Sequence, residues 1–154
     1  MKRRAELLQL SREHHTALVL AKRAQRLGLG AAADARDFME SLPAIFSEEL
    51  EPHFQIEEIA LLSALRDSSS AKNVSRMVEQ TLVEHTALRQ LAQEIGAYDF
   101  SKLGPFGELL GKHIRFEERE LFNLAESLLT PEALARIDEA IKHSGAGCCS
   151  TIPS

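Results

Sequence analysis

Two glutamates and a spaced set of histidines are the residues in this chain whose types could do chemistry together. His53 and Glu57 stand four apart, as do His113 and Glu117. On a helix, residues four apart lie one turn above each other on the same face. The apolar residues Phe46, Leu50 and Leu61 share the face of the first pair, so a His and a carboxylate sit within a buried seam. An ionised carboxylate buried without a partner costs several kcal/mol or more, so something must compensate it. The seam recurs sixty residues later as Phe106, Leu110, His113, Glu117 and Leu121, with Glu118 repeating Glu58.

A second repeat supplies two more imidazoles. Glu13-His-His15-Thr-Ala-Leu18 returns as Val83-Glu-His85-Thr-Ala-Leu88, and aligning the shared His-Thr-Ala-Leu strings pairs His15 with His85. Periodicity in the first helix does not choose between His14 and His15; the repeat selects His15 and leaves His14 and His143 as ordinary core or boundary histidines. Glu13 and Glu84 read as surface residues, and Glu58 and Glu118 as groups that could orient a neighbouring His. Four imidazoles and two carboxylates then converge: His15, His53, Glu57, His85, His113 and Glu117. Six such ligands suit two metal ions, with the carboxylates bridging and two His terminal on each. Imidazole and carboxylate without thiolate fit Fe, Mn or Zn, and iron is the expected occupant.

The elements that must position these residues are helical. The 154 residues carry eight Gly, five Pro and 44% hydrophobic content, rich in Leu, Ala and Glu, which points to one all-α domain. Helices are expected over about 5–28, 34–66, 71–95 and from 101–105 to 129. A short fifth runs from Pro131 to about 142, with Thr130 as its N-cap. Pro43 and Pro52 should start, kink or break the second helix locally. The histidines lie at similar distances from the helix ends, so an up-down-up-down four-helix bundle brings them to one height. The domain spans 1–143 and a flexible tail 144–154, which holds the only cysteines, Cys148 and Cys149.

Several function classes fall away. No His follows a Glu by three residues, which excludes the ferritin-like Glu-x-x-His arrangement, and no His-Glu-x-x-His string exists. Gly28-Leu-Gly30-Ala-Ala-Ala33 fits a dinucleotide fingerprint but follows a helix where a strand is required. The formal charge of −5 disfavours nucleic acid, and no apolar run is long enough to span a bilayer. No apolar stretch follows the basic start as a signal peptide requires, so a reducing cytoplasm is expected.

The ordered pattern His15, His53-x-x-x-Glu57, His85, His113-x-x-x-Glu117 resembles the hemerythrin-like, or HHE cation-binding, family over roughly residues 5–129. That resemblance implies a left-handed four-helix bundle with a non-haem di-iron centre, bridged by the carboxylates and an oxo or hydroxo group. Two departures separate this chain from the family's oxygen carriers. Those have His-x-x-x-His on the third helix, whereas Thr81 and Arg89 stand four residues from His85. Their last carboxylate is an Asp five residues after its His, whereas Glu117 lies four after His113. An extra open position results, and the expected function is reaction with oxygen or peroxide. The other classes are an oxygen or nitric oxide sensor and an iron store. The redox partner and the oligomeric state are left open.

Overall fold

The computed structural model describes residues 2–149, and the chain is helical nearly throughout. A 3-10 turn, Ala5–Leu7, leads into helix α1, Leu8–Gly28. Helix α2 occupies residues 32–68, α3 is Lys72–Gly96, α4 occupies residues 103–128 and α5 is Pro131–Cys149. Helix α1 packs along α4, α3 packs against α2 and α4, and α5 lies over the first turn and the middle of α2. No helix among the described residues is long and apolar enough to cross a membrane.

The prolines do not break α2. It is α-helical over Ala32–Ile45, π-helical over Phe46–Leu50, α-helical over Glu51–Ile56, π-helical over Glu57–Leu62 and α-helical again over Ser63–Ser68. The π turn ends just before Pro52. A wider turn there accommodates a residue with no N–H to donate and a ring that would crowd a regular α turn. Pro43 lies within the first α segment, three residues before the widening. Thr130 caps α5 as expected, its Oγ1 accepting from Ala133 N at 3.1 Å. The helix then continues past 142 to Cys149, and the rest of the expected tail, 150–154, lies outside the described residues.

Close packing of α1 on α4 depends on Gly107. A Cβ there would run into the Ala21 carbonyl and the Gln25 side chain, so only glycine lets the backbones approach this closely. The loop after α3 turns at Tyr98, which takes the left-handed φ of 68°. Its hydroxyl donates to Glu40 Oε1 at 3.1 Å and its ring lies under Arg36, contacts that hold the uncommon backbone in place.

Among the described residues the buried apolar side chains form two clusters. Ala17, Phe46, Phe54, Leu88, Ile95 and Phe106 belong to the first; Leu7, Leu10, Leu61, Val78, Phe122 and Leu134 belong to the second. Along each of α1 to α4 the chain passes from one cluster to the other through a buried polar residue. His14 lies between Leu10 and Ala17, Glu57 between Phe54 and Leu61, His85 between Val78 and Leu88, and Glu117 between Ile114 and Leu121. A polar layer thus crosses the middle of the molecule, dry on both sides.

Candidate metal centre

Five of the six expected site residues meet in that layer. His53, Glu57, His85, His113 and Glu117 are all buried, the two glutamates and His85 and His113 completely so. The sixth place belongs to His14, 3% exposed, whereas His15 is exposed. This corrects the assignment of His15. One residue turns a helix by about 100°, and His14 shares its face with Leu7, Leu10, Ala17, Ala21 and Ala24, all buried.

Each imidazole turns Nε2 inward. His14 Nε2 lies 3.0 Å from Glu117 Oε2 and 3.6 Å from Glu57 Oε1, and His53 Nε2 lies 2.8 Å from Glu57 Oε1. On the opposite side, His85 Nε2 lies 3.2 Å from Glu57 Oε2, and His113 Nε2 lies 2.9 Å from Glu117 Oε1. His14, His53, Glu57 and Glu117 form one set of potential ligands, and Glu57, His85, His113 and Glu117 form another; within each set the ligand atoms lie within 4.8 Å of one another. The two sets share both carboxylates.

Every outer nitrogen meets a carboxylate. His14 Nδ1 is 2.7 Å from Glu118 Oε1, His85 Nδ1 is 2.9 Å from Glu58 Oε1, His53 Nδ1 is 2.6 Å from Glu13 Oε2 and His113 Nδ1 is 2.9 Å from Glu84 Oε2. Glu13 and Glu84, expected at the surface, therefore support the site directly. A carboxylate on Nδ1 draws the proton there and leaves the Nε2 lone pair facing inward, the tautomer a metal requires. The supports come in two kinds. Arg3 Nη2 donates to Glu118 and Arg89 Nη1 to Glu58, each at 2.8 Å, while Gln9 and Gln80 donate to Glu13 and Glu84, each at 3.2 Å.

Among the described residues seven buried side-chain atoms have no hydrogen-bond partner; one is Arg3 Nε, and the other six lie in this layer: both oxygens of Glu57, both of Glu117, and Nε2 of His85 and His113. The distances among them are short, but the directions are wrong for hydrogen bonds. Such a cluster of orphaned polar atoms is costly unless a cation satisfies it. The electrostatics agree. Burial would depress His53 and His113, but the charges of Glu57 and Glu117 outweigh it and hold them up at about 9 and about 10. Against the same opposing effect of burial, His14 is raised by Glu117, Glu118 and Glu57, and His85 by Glu117 and Glu57. Burial pushes the Glu57 and Glu117 carboxyls up, yet the surrounding imidazoles hold Glu57 well below the carboxylate range and Glu117 below it too. Glu118, helped by His14, Ser11 and Arg3, falls to about 2 despite its burial. The centre holds negative charge and attracts positive charge. An all-nitrogen-and-oxygen donor set of this kind fits a first-row divalent metal.

Local backbone geometry aims the carboxylates. A π segment begins on Glu57 in α2, and another, Glu117–Leu121, begins on Glu117 in α4. Single π turns in otherwise α-helical segments commonly mark functional sites. Ring faces close the layer: Phe54 stacks on His85 with centroids 3.9 Å apart, and Phe122 stacks on His14 at 5.1 Å.

Comparison with known proteins gives one positive finding. The family described as the hemerythrin HHE cation binding domain matches residues 5–125. No curated protein and no solved structure matches the chain.

Proposed function

The chain belongs to the hemerythrin HHE cation-binding family, and on that footing we propose that it is a di-iron protein whose centre reacts with oxygen or peroxide. The observation that carries this reading is the pair of ligand sets sharing Glu57 and Glu117. His14 and His53 would hold one ion, His85 and His113 the other, and both carboxylates would bridge. Bound there, iron would supply redox and Lewis-acid chemistry toward a small ligand at positions the six side chains leave free.

The protein's own residues do the rest. Glu118, Glu13, Glu58 and Glu84 keep the Nδ1 protons in place and so hold each Nε2 ready to donate its lone pair. Phe54 and Phe122 exclude bulk water from the layer, which strengthens electrostatic interactions inside it. Two carboxylates in the ligand set would favour the higher oxidation state of a metal held there. One turn before His85, Thr81 is completely buried, and its hydroxyl donates to the Met77 carbonyl at 2.9 Å. Leu10 holds the equivalent place before His14. Neither supplies a further nitrogen ligand, which favours reaction over reversible carriage. Oxygen, peroxide and nitric oxide are the ligands of suitable size, with the protein working in the cytoplasm.

Protein loaded anaerobically with ferrous iron and then exposed to air should oxidise quickly, and the oxidised form should consume peroxide over several turnovers. Thr81→His should slow both. A wild-type protein that takes up and releases oxygen without oxidising, and that leaves peroxide intact, would overturn the reading in favour of a carrier or sensor.

A further inference from the structure

We propose that divalent metal cations reach the buried ligands through an acid-lined passage between α1 and α2 that opens beside His53. The inference rests on the metal-centre reading above. A surface groove of about 310 Å³ lies where α1, α2 and the end of α5 meet, walled by Glu13, Thr16, Glu48, Glu49 and Ile141. Beneath it lies a cavity of about 10 Å³, bordered by His14, His53, His113 and Glu117. That is room for about one water-sized occupant. Glu13, Glu49, Leu50 and His53 border both spaces, so a single layer of side chains separates them.

Two independent features make this a cation route. The groove wall carries three carboxylates and no Lys or Arg, and Glu48 and Glu49 are exposed and make no ion pair among the described residues. The inner cavity is bordered by Glu117, completely buried, with neither carboxylate oxygen hydrogen-bonded. A cation drawn to the rim by charge therefore meets an unsatisfied carboxylate one layer further in. Concave, single-sign clefts focus the field and raise the local concentration of the opposite charge.

The other outer carboxylates do not offer this. Arg89 neutralises Glu58 and Glu51, and Arg3 neutralises Glu118. Glu84 carries no arginine but its side chain is only 17% exposed, against 38% for Glu13. Glu13, with Oε2 2.6 Å from His53 Nδ1, stands at the neck of the passage. A hydrated ion exceeds the inner cavity, so it must shed water there, and carboxylate oxygens are suitable replacements for that water.

The test is the rate at which metal-free full-length protein takes up divalent cobalt, followed by its visible absorption. The variants are Glu48→Gln/Glu49→Gln, Thr16→Lys, and a control with the same charge change elsewhere, Glu79→Gln/Glu132→Gln. At low salt the first two should load roughly tenfold more slowly than wild type, and the control should match wild type. All should reach the same final cobalt content. The rates should converge near molar salt, where the screening length falls to about 3 Å. Full loading at unchanged rates, or equal slowing in the control, overturns the passage and leaves the metal centre standing. Failure of the wild type to bind cobalt at all overturns the metal-centre reading, and the passage with it.

Discussion

His14→Ala and His15→Ala alter neighbouring residues of one helix and should behave as if they belonged to different proteins. In the metal-free chain, the cationic imidazole of His14 stands 3.0 Å from Glu117, 3.6 Å from Glu57 and 2.7 Å from Glu118. Removing one partner of such a buried cluster costs about 3–5 kcal/mol, and losing the stack on Phe122 adds about 1 kcal/mol. At roughly 3 °C per kcal/mol for a domain of this size, the melting temperature should drop by roughly 12–18 °C. His15 is exposed, so its replacement should change stability by less than about 0.5 kcal/mol. Metal content gives an independent readout. His14→Ala dismantles one ligand set and leaves His85, His113, Glu57 and Glu117 in place, so iron should fall from two ions per chain toward one. His15→Ala should stay at two. Calorimetry of the metal-free proteins and elemental analysis of the loaded ones provide the measurements. A His14→Ala protein with full metal content and a melting temperature within about 2 °C of wild type would refute the reasoning, as would loss of metal in His15→Ala.

Two further outcomes follow from the supports and the charges. Arg89→Met releases Glu58 from its 2.8 Å contact and should weaken metal binding about 10–100-fold in competition with a chelator. Arg89→Lys should rescue only part of this, because one ammonium cannot bridge Glu51 and Glu58 as the guanidinium does. The metal-free protein should lose stability in alkali. His53 and His113 titrate at about 9 and about 10 in the folded chain, above the usual 6.5, so their contribution is full below 6.5 and disappears as pH rises through 9 to 10. Melting temperatures of metal-free protein from pH 6 to 10.5 should therefore decline from about pH 6.5 and level off only near pH 10, whereas a flat profile would contradict the charge assignment.

Much of the centre is legible in the sequence because it is written twice. The sixty-residue repeat of His53-x-x-x-Glu57 as His113-x-x-x-Glu117 gives four of the six inner residues, and the structure brings all four together. The error at His15 has a physical source. His-Thr-Ala-Leu is a string identity that the helix does not use; Thr16 and Thr86 are both exposed. The buried seam repeats at a different offset. Leu7, Leu10, His14, Ala17, Ala21 and Ala24 correspond to Val78, Thr81, His85, Leu88, Ala92 and Ile95, seventy-one residues later. The same offset pairs Gln9 and Glu13 with Gln80 and Glu84, the residues that support His53 and His113. Gln-x-x-x-Glu-His was the available signal. It links residues that serve histidines on other helices, so it acquires meaning only once the helices are packed. The π turns at Glu57 and Glu117 left no mark that helix periodicity could reveal, because one extra residue per turn shifts a face without changing its composition. Pro52 showed only that the helix must start, kink or break near 52, and the structure meets that need with a widened turn. The length of α5 was missed because Gly145 and Gly147 argue for an end that the helix does not take.

The central claim is that two metal ions share Glu57 and Glu117, and counting them tests it most directly. Full-length protein loaded anaerobically with ferrous iron and freed of excess should contain two iron ions per chain by elemental analysis. A plateau at one, or at none, would contradict the account.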